Sequence, residues 1–188
     1  MRVIAGFARG RQIKAPKGSE ITRPTADKVR EAVFGSLQFQ IPGSRVLDLF
    51  AGSGAMGIEA LSRGAQSAVF VDCDRAAVAL IRENLKFLDM EQSAQVLHMD
   101  FAAALSRLSG PFDYIFLDPP YKASLYQPAI SLILERKLLA LQGRIIAEHE
   151  EGAIFRGVRV LKEKKYGRTL VSFLAIGESC EVTVSRQL

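Results

Sequence analysis

Short apolar runs alternate with amphipathic stretches over most of the chain. Val46-Leu47-Asp48-Leu49-Phe50, Ala68-Val69-Phe70-Val71, Gln95-Val96-Leu97, Tyr114-Ile115-Phe116-Leu117 and Arg144-Ile145-Ile146-Ala147 read as strands. Between them lie helical patterns. The first runs from Gly54 to Arg63 and is closed by Gly64. The second is capped by Asp74 and carries Val78, Ile81, Leu85 and Leu88 on one stripe; the others run from Phe101 to Leu108 and from Leu125 to about Leu139. A strand–helix alternation of this kind predicts an α/β fold: a parallel sheet with helices on both faces. The pattern changes after residue 150. Val158–Leu161 and Leu170–Leu174 flank a basic turn, Lys164–Arg168, and predict an antiparallel pair on the sheet edge. Before residue 44 the pattern predicts a small hairpin over 2–15, a Pro/Gly loop, and a helix capped by Thr25 with Val29, Ala32, Val33 and Leu37 on one face.

With 188 residues, 48% of them hydrophobic, the chain can build a sizeable core, so disordered and fibrous classes are excluded. The division expected is a basic hairpin and helix over 1–43, an α/β domain over 44–176, and a tail over 177–188. Cys73 and Cys180 form no CxxC pair, and His98 and His149 stand apart, so neither a disulfide scaffold nor a metal site is expected. No apolar run approaches 18 residues and no leader pattern opens the chain, which predicts a cytoplasmic protein without a membrane anchor.

Charge changes the picture more than composition does. The net charge is +5, but residues 1–30 hold eight bases and two acids, a net of +6, while the remainder holds 17 bases and 18 acids. A near-neutral body with a basic head fits a polyanionic partner, nucleic acid first, with a solvated arm as the plainer alternative. Arg9, Arg11 and Lys14 are the candidate phosphate contacts. The Lys162–Arg168 run is a second, weaker candidate.

Candidate chemistry sits at the strand ends. Asp48-Leu49-Phe50-Ala51-Gly52-Ser53-Gly54 is a glycine loop at a strand-to-helix turn, where the backbone can approach a ligand closely. Asp72 ends the second strand and can accept from ribose hydroxyls; Asp100 ends the third and can accept from an adenine amine. Gly52-x-Gly54-x-x-Gly57 formally matches the dinucleotide fingerprint. Asp48, however, lies where a pyrophosphate would sit, and its carboxylate suits a ligand with a cationic end. The fourth strand runs directly into Asp118-Pro119-Pro120-Tyr121. The prolines remove two N–H donors and leave acceptors beside an aromatic platform, a site for a planar ring bearing an exocyclic amine.

With these motifs the chain resembles the class I S-adenosylmethionine methyltransferases that modify exocyclic amines of nucleobases. More narrowly it resembles the bacterial 16S rRNA guanine-N2 methyltransferases (the guanine-966 enzymes of the small subunit). The resemblance covers about residues 1–175. Its marks are Arg2-Val3-Ile4-Ala5-Gly6 with Gly10-Arg11, Thr22-Arg23-Pro24-Thr25, Leu47–Gly54 and Asp118-Pro119-Pro120-Tyr121. It implies a Rossmann-like class I methyltransferase fold: a seven-stranded, mostly parallel sheet with an antiparallel C-terminal hairpin and a small N-terminal extension. It implies S-adenosyl-L-methionine as cofactor, bound through Asp48, Phe50, Gly52, Ser53, Gly54, Asp72, Asp100, Phe101 and Asp118. It also implies catalysis at Asp118, Pro119 and Tyr121, and RNA contacts from Arg9, Arg11, Lys14, Arg23 and Tyr121. The implied partner is 16S rRNA within a small-subunit particle; a monomer is the expected state for a small enzyme docking on so large a target, and no metal is expected. Two alternatives remain open on the residues: an N6-adenine nucleic-acid methyltransferase and a non-catalytic RNA-binding or assembly module.

Overall fold

The computed structural model describes residues 1–16, 24–37, 39–119 and 125–177. Among these residues the helices and strands follow in the order α1 (Pro24–Leu37), β1 (Arg45–Asp48), α2 (Ala55–Ser62), β2 (Ser67–Asp72), α3 (Arg75–Phe87), β3 (Ala94–His98), α4 (Phe101–Arg107), β4 (Phe112–Leu117), α5 (Tyr126–Glu135), β5 (Leu139–His149), β6 (Val158–Tyr166) and β7 (Thr169–Ile176). The sheet order is β3-β2-β1-β4-β5-β7-β6. The first five strands run parallel; β7 inserts antiparallel between β5 and β6. This is the α/β architecture that the hydrophobic pattern predicts. The order reverses at β1 and β4, which puts a switch point, and hence a ligand crevice, at their carboxyl ends.

Each sheet face carries its own apolar layer. Val46, Phe70, Phe116 and Ile146 face α1, α2 and α3; Leu47, Val71, Ile115 and Ile145 face α4 and α5. Helix α3 shows why the periodicity was readable: Val78, Ile81, Leu85 and Leu88 are all buried, and the Asp74 carboxylate caps its first turn by accepting from the Ala76 N–H at 2.8 Å. Among the described residues no helix is long and apolar enough to cross a membrane.

The head is tighter than a hairpin with a basic tip. Arg2 and Gln12 form one antiparallel bridge, without strands, and Val3, Ala8 and Ile13 enter the same apolar layer as α1 and β1. Two side chains of α2 hold it. Glu59 accepts from the Ile4 and Ala5 N–H groups at 2.8 and 3.0 Å. The Ser62 hydroxyl donates to the Ala5 carbonyl at 2.6 Å and accepts from the Ala8 N–H at 3.1 Å. Gly6 is required at this seam: its φ is +84° and a Cβ there would lie 1.7 Å from the Ser62 carbonyl oxygen.

Three boundaries differ from the expectation. Helix α1 starts at Pro24, one residue before the expected Thr25 cap, with proline in the first-turn position it favours. Helix α5 ends at Glu135 rather than near Leu139; Lys137 takes a φ of +52°, and Leu139 already belongs to β5. The expected turn over Lys164–Arg168 narrows to Gly167–Arg168, because β6 continues through Lys162–Tyr166. The expected tail, apart from Gly177, lies outside the described residues.

Candidate active site

The carboxyl ends of β1, β4 and β5 bring three acids to one cavity of about 200 Å³: Asp48, Asp118 and Glu148. The glycine loop, Phe50 to Ser53, forms one wall. Val29, Arg30 and Val33 of α1 form another, beside Met1. Asp48 closes β1 and turns its carboxylate under α2, where Oδ2 accepts from the Gly57 N–H at 3.0 Å. Gly57 permits this close approach, since a Cβ there would lie 2.3 Å from the Phe70 ring. Between them Gly52 and Gly54 turn the chain with φ of +52° and +77°.

The electrostatics of the two aspartates follow from this enclosure. Burial pushes the Asp48 carboxyl up to about 7, against the pull of the Gly57 N–H and with a smaller push from the Asp72 charge. Asp118 is pushed up to about 8, first by loss of water around it and then by the Glu148 and Asp48 carboxylates. Its side chain nonetheless opens onto the cavity and meets solvent.

The other expected cofactor residues lie outside this wall, further along the same sheet edge. Asp72 holds the loop: Oδ2 accepts from the Gly52 N–H at 2.8 Å and Oδ1 from the Asp74 N–H at 2.9 Å. Asp100 caps α4, with Oδ1 accepting from the Ala102 and Ala103 N–H groups, both at 3.0 Å. Phe101 packs on Phe50 at 5.7 Å between ring centroids, which links the cavity to that outer end. Pro119 is buried directly after Asp118. Arg23 and Tyr121 lie outside the described residues.

The three basic residues proposed as phosphate contacts are not equivalent. Arg11 stacks on the Phe87 ring at 4.7 Å, donates to the Phe87 carbonyl and lies 3.8 Å from Asp89. Lys14 pairs with Glu83 at 2.5 Å. Arg9 is exposed and has no ion pair among the described residues.

Four residues that the sequence reading passed over organise the site. Glu148 is the carboxylate that follows Ile145-Ile146-Ala147, a strand-end acid like Asp48 and Asp118. Arg30 stands on the face of α1 that buries Val33, Phe34 and Leu37, and a charge on an apolar stripe is a readable anomaly. Glu59 clamps the head. Asn84, buried on α3, exchanges hydrogen bonds with the Lys14 N–H and carbonyl at 2.8 and 3.0 Å and donates to the Ser53 carbonyl at 3.1 Å, joining head to glycine loop.

The profile of the family described as "Conserved hypothetical protein 95" matches residues 1–175. The chain belongs to this family. It is 47% identical over 154 residues to "Putative rRNA methyltransferase YlbH" of Bacillus subtilis, covering 80% of this chain and 83% of that one. It is 37% identical over 150 residues to "Ribosomal RNA small subunit methyltransferase D" of Escherichia coli, covering 80% and 75%. Among solved structures, "Putative methyltransferase yhhF" from Escherichia coli superposes with a TM-score of 0.85 at 32% identity, covering 95% of this chain and 99% of that one. The chain thus shares the fold of that structure over nearly its whole length.

Proposed function

We propose that this chain transfers the methyl group of S-adenosylmethionine to ribosomal RNA, at the exocyclic N2 amine of a guanine in the 16S rRNA of the small subunit. The observation that carries the reading is the cavity beside the glycine loop, walled by Asp48, Asp118 and Glu148. Three carboxylates fit a cationic cofactor without phosphate and repel a dinucleotide, whose pyrophosphate would meet Asp48. The names of the ribosomal RNA methyltransferases it resembles support the substrate class.

S-adenosylmethionine supplies an electrophilic methyl on a sulfonium centre. The protein's part is to aim the acceptor. The N2 lone pair of guanine is delocalised into the ring, and hydrogen bonds from its N–H groups to Asp118 and the Pro119 carbonyl would localise and orient it. Catalysis of this kind is orientation and preorganised electrostatics, with no covalent enzyme intermediate. Burial and the neighbouring Glu148 and Asp48 carboxylates raise the affinity of Asp118 for a proton, which suits it to take the one released. Tyr121 would stack on the target base once it is flipped out of the RNA, worth about 1–3 kcal/mol. Asp72 and Asp100 would serve the ribose and adenine along the outer edge. Arg9 and Arg23 would contact RNA.

Labelled-methyl transfer onto small-subunit particles, protein-free 16S rRNA and DNA, with nucleoside analysis, tests the reading. N2-methylguanosine in the particle is the expected product. N6-methyladenosine, or RNA binding without transfer, would overturn it.

A further inference from the structure

Asp118 and the Pro119 carbonyl can receive an exocyclic amine, but the amines of guanine and adenine look alike to two acceptors. The ring nitrogen beside the amine does not. N1 of guanine bears a proton and donates, whereas N1 of adenine presents a lone pair and accepts. A site that reads its target base meets N1 next to the amine.

Glu148 stands in that place. Leu117 pairs with Ala147 in parallel register, so Asp118 and Glu148 are the next step on adjacent strands, about 5 Å apart, on the sheet face of Phe116 and Ile146. Asp48 and the glycine loop follow β1, on the other side of β4. Glu148 is thus the cavity acid farthest from the loop, with Asp118 between it and Asp48. Its charge acts on Asp118 more strongly than that of Asp48 does. The strand end that carries it is fixed. The Tyr126 hydroxyl donates to the Glu148 carbonyl at 2.5 Å, and on the opposite face the His149 ring lies between the Glu150 carbonyl and the Ser172 hydroxyl, each at 2.8 Å. Val29, Val33 and Val171 line the same cavity. In such a setting two neighbouring carboxylates repel each other unless a ligand offers donors to both.

Guanine offers N1–H beside N2–H. Adenine would turn its N1 lone pair against a carboxylate. We infer that Glu148 is a specificity-determining residue: its carboxylate accepts from N1–H of the target guanine while Asp118 receives the amine, and it rejects adenine by repulsion. The inference rests on the function proposed above.

Methyl transfer at saturating S-adenosylmethionine tests it, on reconstituted small-subunit particles whose 16S rRNA carries guanine or 2-aminopurine at the methylated position. 2-Aminopurine keeps the amine on C2 but has a lone pair at N1. The wild type is expected to prefer guanine about a hundredfold in kcat/KM. Glu148→Gln, whose amide can turn either its oxygen or its N–H to N1, is expected to shrink that ratio to a few-fold. The change in ratio separates N1 from the missing O6 of 2-aminopurine and cancels any effect of the variant on the cofactor. Glu148→Asp, which keeps the charge, is expected to keep the preference at a lower rate. Equal transfer to both bases by the wild type would overturn the assignment and leave the proposed function standing; this comparison needs no variant to fold. An unchanged ratio in Glu148→Gln would overturn it too, as the mark of a structural or cofactor-binding acid. Absence of transfer to guanine by the wild type would overturn the proposed function with it.

Discussion

The N-terminal head and the β6–β7 hairpin are both rich in bases, yet they present charge in opposite ways. The head concentrates the sequence's positive excess, but Arg11 and Lys14 meet Asp89 and Glu83 around α3, and Arg30 is buried among Asp27, Glu59 and Arg63. On the hairpin, Lys165 pairs with Glu151, but Arg159, Lys162 and Arg168 are exposed and have no ion pair among the described residues. Register places β6 beside the cavity. Glu148 pairs across to Val171, which lines the cavity, and Val171 pairs on to Lys164, about 10 Å away at two strand spacings. Charge counted along a chain is therefore a poor guide to the field outside it. Bases that fold against acids lose their reach, while exposed bases without such a partner keep it.

The largest effect tests what lies between the two basic regions. Asp118→Ala is expected to lower methyl transfer to small-subunit particles by about a thousandfold or more, with S-adenosylhomocysteine affinity changed only a few-fold. An active variant would remove the catalytic edge from the comparison.

Gly6→Ala breaks the head's seam with α2. If the head is a packed part of the core, thermal unfolding should show a loss of about 2–4 kcal/mol. An unchanged melting temperature would return the head to a solvated arm.

The charges themselves are compared by the salt dependence of RNA affinity. Replacing Arg159, Lys162 and Arg168 by Ala should flatten the log–log slope by about 2–3, and replacing Arg9, Arg11 and Lys14 by about 1. The reverse order would show that the head's ion pairs open on RNA.

The smallest effect is a pH slope. Between its ordinary value of 3.8 and about 7, the folded protein keeps the Asp48 proton that the unfolded chain has released. Stability of the ligand-free protein should therefore fall as pH rises through that window, and Asp48→Asn should flatten that part of the fall, read as melting temperature against pH.

Much of the fold was legible because its signals are local. The five parallel strands, the Asp74 cap and the stripe of α3 need nothing beyond neighbouring residues. The misplaced boundaries fall where local signals are ambiguous. Leu138-Leu139-Ala140-Leu141 fits a helix end or a strand start, and pairing with β4 makes it β5. Consecutive lysines read as a turn, yet an outward-facing edge strand tolerates them, and pairing with β7 extends β6 across them. Asp48 and Asp118 were legible as strand-end acids beside glycine and proline motifs. Glu148 and Arg30 follow from similar anomalies, a carboxylate after an apolar run and a charge on an apolar stripe, but become site residues only once β5 and α1 face the same cavity.

The amino-acid sequence by itself determined the α/β alternation, the glycine loop, the acids at the strand ends and the family, because each rests on short spacings. Tertiary structure decided which acids share a cavity, that Arg30 is its cationic wall, and that the head's charges are answered by α3 and α2. Those outcomes depend on contacts between residues dozens of positions apart, and in such contacts burial, not sequence position, sets how strongly a charge is felt.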